Sequence, residues 1–310
     1  MARGRKKENR SKPRKKGAPG GRKRILTFIL LSFVFGVALS ILYLYPRGAG
    51  RVKSPENIRT YLDENDKNLV ESLKEEESAG RIFDSEGIRG KICLVMDDVG
   101  YEGKRAESFI KQGVPVTVAV LPGGRFSKKI ARLAKSRGNT VLLHMPMVPD
   151  MKVVDNSKKF MLDLGMGERE IISRLEMARR WVPGISGISN HMGSRFTRDP
   201  GGMKVVASYM KQHGLFFLDS RTTPKSVVPF VCRVTGVSYL ERDVFIDNSH
   251  DPDKIRAQFE RLKNIASGRG FSIGIFHPGK VATDHIGELI RESLLEGYRF
   301  VTLKDVVEGD

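Results

Sequence analysis

The sequence predicts an α/β fold, a distorted (β/α) barrel of seven or eight mostly parallel strands preceded by one transmembrane helix. Three observations carry that expectation. From Lys91 onward, short apolar, β-prone runs alternate with helical patterns, the order that right-handed βαβ units and a largely parallel sheet produce. Polar residues able to do chemistry recur where those runs end. Well before the first run stands a 21-residue stretch without a charge, Ile25–Tyr45.

Residues 1–24 hold twelve Lys and Arg against one acid, Glu8, so this tail contributes +11 of the chain's net +18. The cluster Arg22-Lys23-Arg24 abuts the apolar run, and only Arg47 follows closely on its other side. Residues 25–45 are long enough to cross the hydrocarbon core as a helix, with Tyr43 and Tyr45 where interfacial aromatics belong. The charge asymmetry predicts a single-pass cytoplasmic (inner) membrane protein. Its N-terminus is cytoplasmic and its main domain lies on the periplasmic or extracellular side. No small-x-small cleavage site follows the run, which favours an anchor over a signal peptide. The basic tail is thereby matched to anionic headgroups, and nucleic acid is not an expected partner.

Residues 46–90 form a linker. Ser54-Pro55-Glu56 reads as an N-cap followed by proline in a first helical turn. Ile58, Leu62, Leu69 and Leu73 make one apolar stripe, predicting an amphipathic helix over residues 55–77. The stripe suits packing on the main domain or pairing with a second chain as a dimer, and leaves both open.

In the domain 91–310, strands are expected at 92–96, 116–121, 140–143, 185–189, 215–218, 244–246, 272–276 and 300–303. Helices are expected near 103–112, 127–137, 168–181, 202–213, 253–267 and 285–296. An open doubly wound sheet fits less well, because no GxGxxG follows the first strand. Cys93 falls in a strand and Cys232 in a loop, with no spacing that pairs them or makes a thiolate metal site.

The strand ends carry the chemistry. They read Asp97-Asp98, His144, Asn190-His191, Asp219-Ser220-Arg221, Asp247-Asn248 and His277-Pro278. In a parallel barrel all of these meet on one face, where such barrels build active sites. Two histidines and a carboxylate make a hydrolytic zinc site with an open position. Alternation forbids Asp97 and Asp98 from both pointing inward while strand pairing continues, so the chain must turn there. One carboxylate can then ligate a metal while its neighbour handles water, with His277 as a proton donor from across the barrel. Each has a plainer reading: Asp97 capping the next helix, the histidines bracing turns.

The segments Val95-Met96-Asp97-Asp98-Val99-Gly100, Leu142-Leu143-His144-Met145-Pro146-Met147, Asn190-His191-Met192-Gly193-Ser194, Phe217-Leu218-Asp219-Ser220-Arg221-Thr222 and Phe276-His277-Pro278 resemble the divergent polysaccharide deacetylase family. The resemblance covers residues 91–305. It implies a distorted β/α barrel that binds a divalent metal, usually zinc, and removes acetyl groups from sugars. By position, Asp97 resembles the family's catalytic base, Asp98 its metal-binding aspartate, His144 the first histidine of an H-x-x-x-H motif, and His277 the late histidine that protonates the leaving group. Val148 stands where that motif's second histidine would be, and no R-x-P-Y motif occurs. His191 is our replacement ligand, giving a metal set of Asp98, His144 and His191.

Arg195, Asp219, Arg221 and Asp247 are candidate substrate-binding residues, the arginines for an anionic group or for neutralising nearby carboxylates. Trp181 reads as core, His213 as a helix C-cap, and His250 and His285 as turn residues in solvent. The expected function is deacetylation of cell-envelope carbohydrate, with an acetylated polysaccharide or cell-wall glycan as partner. A noncatalytic envelope-binding protein with a degenerate site is the alternative.

Overall fold

The computed structural model describes residues 87–152 and 157–309. The basic tail, the apolar run and the amphipathic segment lie outside the described residues. No helix among the described residues is long and apolar enough to cross a membrane.

The strands are β1 (Gly90–Val99), β2 (Thr117–Val120), β3 (Thr140–Met147), β4 (Gly187–Met192), β5 (Phe216–Asp219), β6 (Tyr239–Glu241), β7 (Val244–Phe245), β8 (Phe271–Phe276) and β9 (Tyr298–Val301). The helices are α1 (Lys104–Lys111), α2 (Ser127–Ser136), α3 (Glu168–Arg179), α4 (Pro200–Gln212), α5 (Val228–Thr235), α6 (Pro252–Arg269), α7 (Lys280–Leu295) and α8 (Leu303–Glu308). Every strand pairing is parallel, in the order β6-β5-β4-β3-β2-β1-β8-β7. β1 is the hub: β8 runs along one side, while β9 and β2 share the other, β9 beside Gly90–Cys93 and β2 beside Val95–Val99. The curled sheet's two edges belong to one stretch of chain, since β6 pairs with β5 and, after Arg242-Asp243, β7 pairs with β8.

Alternation sorts the side chains into two layers. Cys93, Val95, Ala119, Leu142, Phe216, Leu218, Ile273 and Ile275 form one apolar cluster inside the curl. Ile92, Leu94, Met96, Leu143, Ile188, Phe217 and Phe276 face the surrounding helices in the larger cluster. Leu303, at the start of α8, joins the inner cluster. A capping box sets that start, Thr302 and Asp305 bonding each other's backbone.

Several sequence expectations shift. β6 goes beyond the expected strands, because Glu241 interrupts its apolar run. Cys232 is in helix α5, not a loop, and is buried and free, as is Cys93. Pro229 hides that helix in the sequence, yet proline is compatible with a first turn. His285 is helical too, in α7, paired with Glu288 at 3.7 Å. His213 does cap α4, its Nδ1 lying 2.8 Å from Tyr209 O.

Candidate functional site

Inner parity continues past the apolar plug to the C-terminal strand ends. On β1, Cys93 and Val95 lead to Asp97; on β3, Leu142 leads to His144; on β8, Ile273 and Ile275 lead to His277. On β4 the outward Ile188 makes Ser189 and His191 inward. Asp98 is the exception that alternation forbids. The register of β1 against β2 slips between Met96 and Val99, and Asp98 takes a left-handed φ of 58°. This break in the strand turns the second carboxylate back toward the first.

One donor atom each from Asp98, His144 and His191 lies within 4.8 Å of the others. Asp98 Oδ1 is 2.7 Å from His191 Nδ1 and 3.2 Å from His144 Nε2. With Nε2 turned to Asp98, His144 Nδ1 lies 2.8 Å from Ser189 Oγ, the contact that orients a ligating imidazole. His144 Nε2 is also 3.6 Å from Asp97 Oδ2, while Asp97 Oδ1 is buried without a hydrogen bond. On the far side, His277 Nε2 sits 3.5 Å from Asp98 Oδ2. Asp247 grips His277 from behind: Oδ1 is 3.2 Å from Nδ1, and Oδ2 accepts the backbone N–H at 2.7 Å.

The electrostatics separate the carboxylates. Burial and the neighbouring Asp98 push Asp97 up, against the pull of His144, so it holds a proton more readily than an ordinary aspartate. Burial acts on Asp98 too, but the two histidines outweigh it and hold that carboxyl far below the usual range. Burial disfavours a charged His277, yet the Asp247 hydrogen bond and the Asp98 and Asp97 charges push it up to about 9. A nitrogen–nitrogen–oxygen donor set beside an orphaned buried carboxylate oxygen fits a zinc-type divalent ion.

The helix-capping reading of Asp97 does not hold, since α1 begins after Gly103 with no side-chain cap. Asp219 does not join the cluster. It shares the parity of outward Phe217, and its Oδ1 accepts the Arg221 N–H at 2.8 Å. Arg221, with a φ of 53°, spends its guanidinium on Glu241 at 2.6 Å. Arg195 is exposed, its backbone N–H bonded to Val148 O. Val148 itself packs against the outer core.

One inward residue escaped the sequence reading. Arg242 follows inward Leu240 on the short link between β6 and β7, and donates through Nε to Ser220 O (2.8 Å) and NH2 to Arg221 O (3.2 Å). Its charge is felt by both Asp97 and Asp219. Parity counted from Leu240 would have found it, had β6 been legible.

Known proteins resemble this chain. The family model described as divergent polysaccharide deacetylase matches residues 94–307. The chain belongs to the divergent polysaccharide deacetylase family. A Haemophilus influenzae protein described only as uncharacterised is 34% identical over 192 residues, spanning 61% of this chain and 67% of that one. The uncharacterised Escherichia coli protein YibQ is 35% identical over 191 residues, spanning 62% of this chain and 59% of its own length. An uncharacterised Agrobacterium tumefaciens protein has a similar structure, with a TM-score of 0.65 at 20% identity over 74% of this chain and 94% of that one.

Proposed function

We propose that the chain is a membrane-anchored, metal-dependent hydrolase that removes acetyl groups from cell-envelope carbohydrate. The observation that carries this reading is the convergence of Asp98, His144 and His191 within 4.8 Å, beside buried Asp97. Asp98 Oδ1, His144 and His191 would hold the ion, and zinc suits the donor set. When bound, it supplies Lewis acidity to an acetyl carbonyl.

The rest is done by the chain's own side chains. Asp97, its basicity raised by burial, accepts the proton that attacking water must lose. His277, its charged form favoured by the Asp247 hydrogen bond, delivers a proton to the departing amine or alcohol. Asp247 is a positioning residue that fixes which imidazole nitrogen faces the site. Burial of Asp97 and His144 keeps bulk water from competing for these protons.

The purified full chain tests this reading. It is expected to carry one divalent ion and to release acetate from acetylated cell-wall glycan, with release lost on chelation and restored by zinc. A chain that binds no metal and releases no acetate would sink the assignment. Glycan binding without turnover would favour the noncatalytic alternative.

A further inference from the structure

We propose that the flank formed by α2, the turn at Lys158–Phe160 and Trp181 is a docking surface for an anionic phospholipid bilayer. α2 carries Lys128, Lys129, Arg132 and Lys135 and no acid. Arg125 precedes it, and Lys158 and Lys159 stand on the neighbouring turn. Lys129 is taken by Glu107 at 2.5 Å. Arg125, Lys128, Arg132, Lys135, Lys158 and Lys159 are exposed, and none makes an ion pair among the described residues. Some bases elsewhere are matched, such as Arg256 with Glu292, Arg269 with Asp243, and Lys263 with Glu260 and Glu296. Six exposed bases gathered on one flank, none ion-paired among the described residues, leave charge for a partner to satisfy.

Trp181 gathers that charge. The ring is partly buried against the core and meets Phe160 edge-on at 6.5 Å. Lys128 Nζ and Lys159 Nζ lie 5.3 and 5.4 Å from its centroid. A ring holding two ammonium groups is not an open platform for stacking a sugar; it concentrates cations at the surface. Lys128, Arg132 and Lys135 recur at helical spacing, so they share one face of a ten-residue helix about 15 Å long. A row of that length suits a plane of phosphate headgroups better than a single small anion.

The bilayer is chosen over other polyanions because of the uncharged residues 25–45 in the same chain. This choice of partner rests on the membrane-anchored reading. A domain tethered to a membrane meets it at high effective concentration, and surface lysines and arginines add attraction within a Debye length of anionic lipid.

Trp181 is the chain's one tryptophan, so its fluorescence reports this surface alone. The full chain is incorporated into nanodiscs of zwitterionic lipid, or of the same lipid with added phosphatidylglycerol, each carrying a headgroup-level quencher. Trp181 should be quenched in the anionic discs and not in the zwitterionic ones. Raising salt from ~0.01 to ~1 M, which shortens the Debye length from ~30 to ~3 Å, should remove the quenching. The triple variant Lys128→Glu, Arg132→Glu, Lys159→Glu should lose it while melting like the parent. Equal quenching in both discs, or a triple variant that keeps it, overturns the proposal. So does a soluble acidic polysaccharide that perturbs Trp181 as strongly as the anionic discs. Failure of the chain to incorporate overturns the anchor instead. The chain is then offered sealed vesicles of the two compositions, and quenching by the anionic ones alone is still required.

Discussion

Asp97 and Asp98 are chemically alike, adjacent in sequence and opposite in electrostatic character, and their surroundings make the difference. Asp97 is buried and keeps an unbonded oxygen; Asp98 faces three imidazoles. Asp97→Asn and His277→Ala are each expected to lower acetate release by at least ~100-fold per folded, metal-loaded molecule while the metal stays bound. Near-normal turnover in either variant would remove that residue from the mechanism. Removing the partner of His144 is a milder change: Ser189→Ala should weaken metal affinity about 10–100-fold, measured by competition with a chelating dye. His277 also predicts a pH dependence. Its folded value, about 9, lies above its ordinary 6.5, so the charged form is bound more tightly in the folded state. That stabilisation is complete below 6.5 and lost as pH rises through about 9. Denaturant midpoints of the metal-free protein should therefore fall across that window, and Asp247→Asn should flatten the fall. A midpoint that rises with pH there contradicts the assignment.

Strand ends are the elements that build the site, and their irregularities are where sequence reading succeeds and stops. Alternation required a turn at Asp97-Asp98, and the structure supplies a register slip and a left-handed Asp98. Met192 and Arg221 take the same conformation at the ends of β4 and β5, so three strained non-glycine residues surround one face. Behind Asp98, the loop depends on a close approach: a Cβ on Gly124 would meet Gly100 O at 2.3 Å. Gly124→Ala should cost about 1–3 kcal/mol in urea unfolding and also weaken metal binding, because Gly100 follows Asp98 by two residues at the end of β1. Lost stability with unchanged metal affinity would separate the loop from the site. The strands were legible as apolar runs and most helices as periodic patterns between them. β6 was not, because Glu241 breaks its apolar run where Val244–Ile246 marks β7, and Arg242 was lost with it. Asp219 was legible as a strand-end carboxylate, but its direction depends on the parity set by Phe217, and that was not read. The His191 position was found only because a resemblance left Val148 empty-handed and another histidine ended the next strand. No local pattern marks a ligand supplied by a neighbouring strand.

At the scale of the whole molecule, charge is distributed by region. The first 24 residues carry +11, residues 51–90 hold ten acids against seven bases, and the rest of the domain is mildly basic. The proposed function makes a further demand, that the domain lie outside the cytoplasm. Orientation is the part of that picture a fusion can test. Arg22, Lys23 and Arg24 lie before the uncharged run and only Arg47 close after it. Positive charge flanking a span is retained on the cytoplasmic side, so the domain after Pro46 should be exported. A reporter enzyme that is active only outside the cytoplasm, fused after Asp310, should be active. Moving the asymmetry, by Arg22→Ser, Lys23→Ser and Arg24→Ser together with lysines introduced next to Arg47, should reduce that activity. A parent fusion that is well expressed, full length and inactive places the domain in the cytoplasm. It would leave the metal cluster intact and remove the envelope glycan as its substrate.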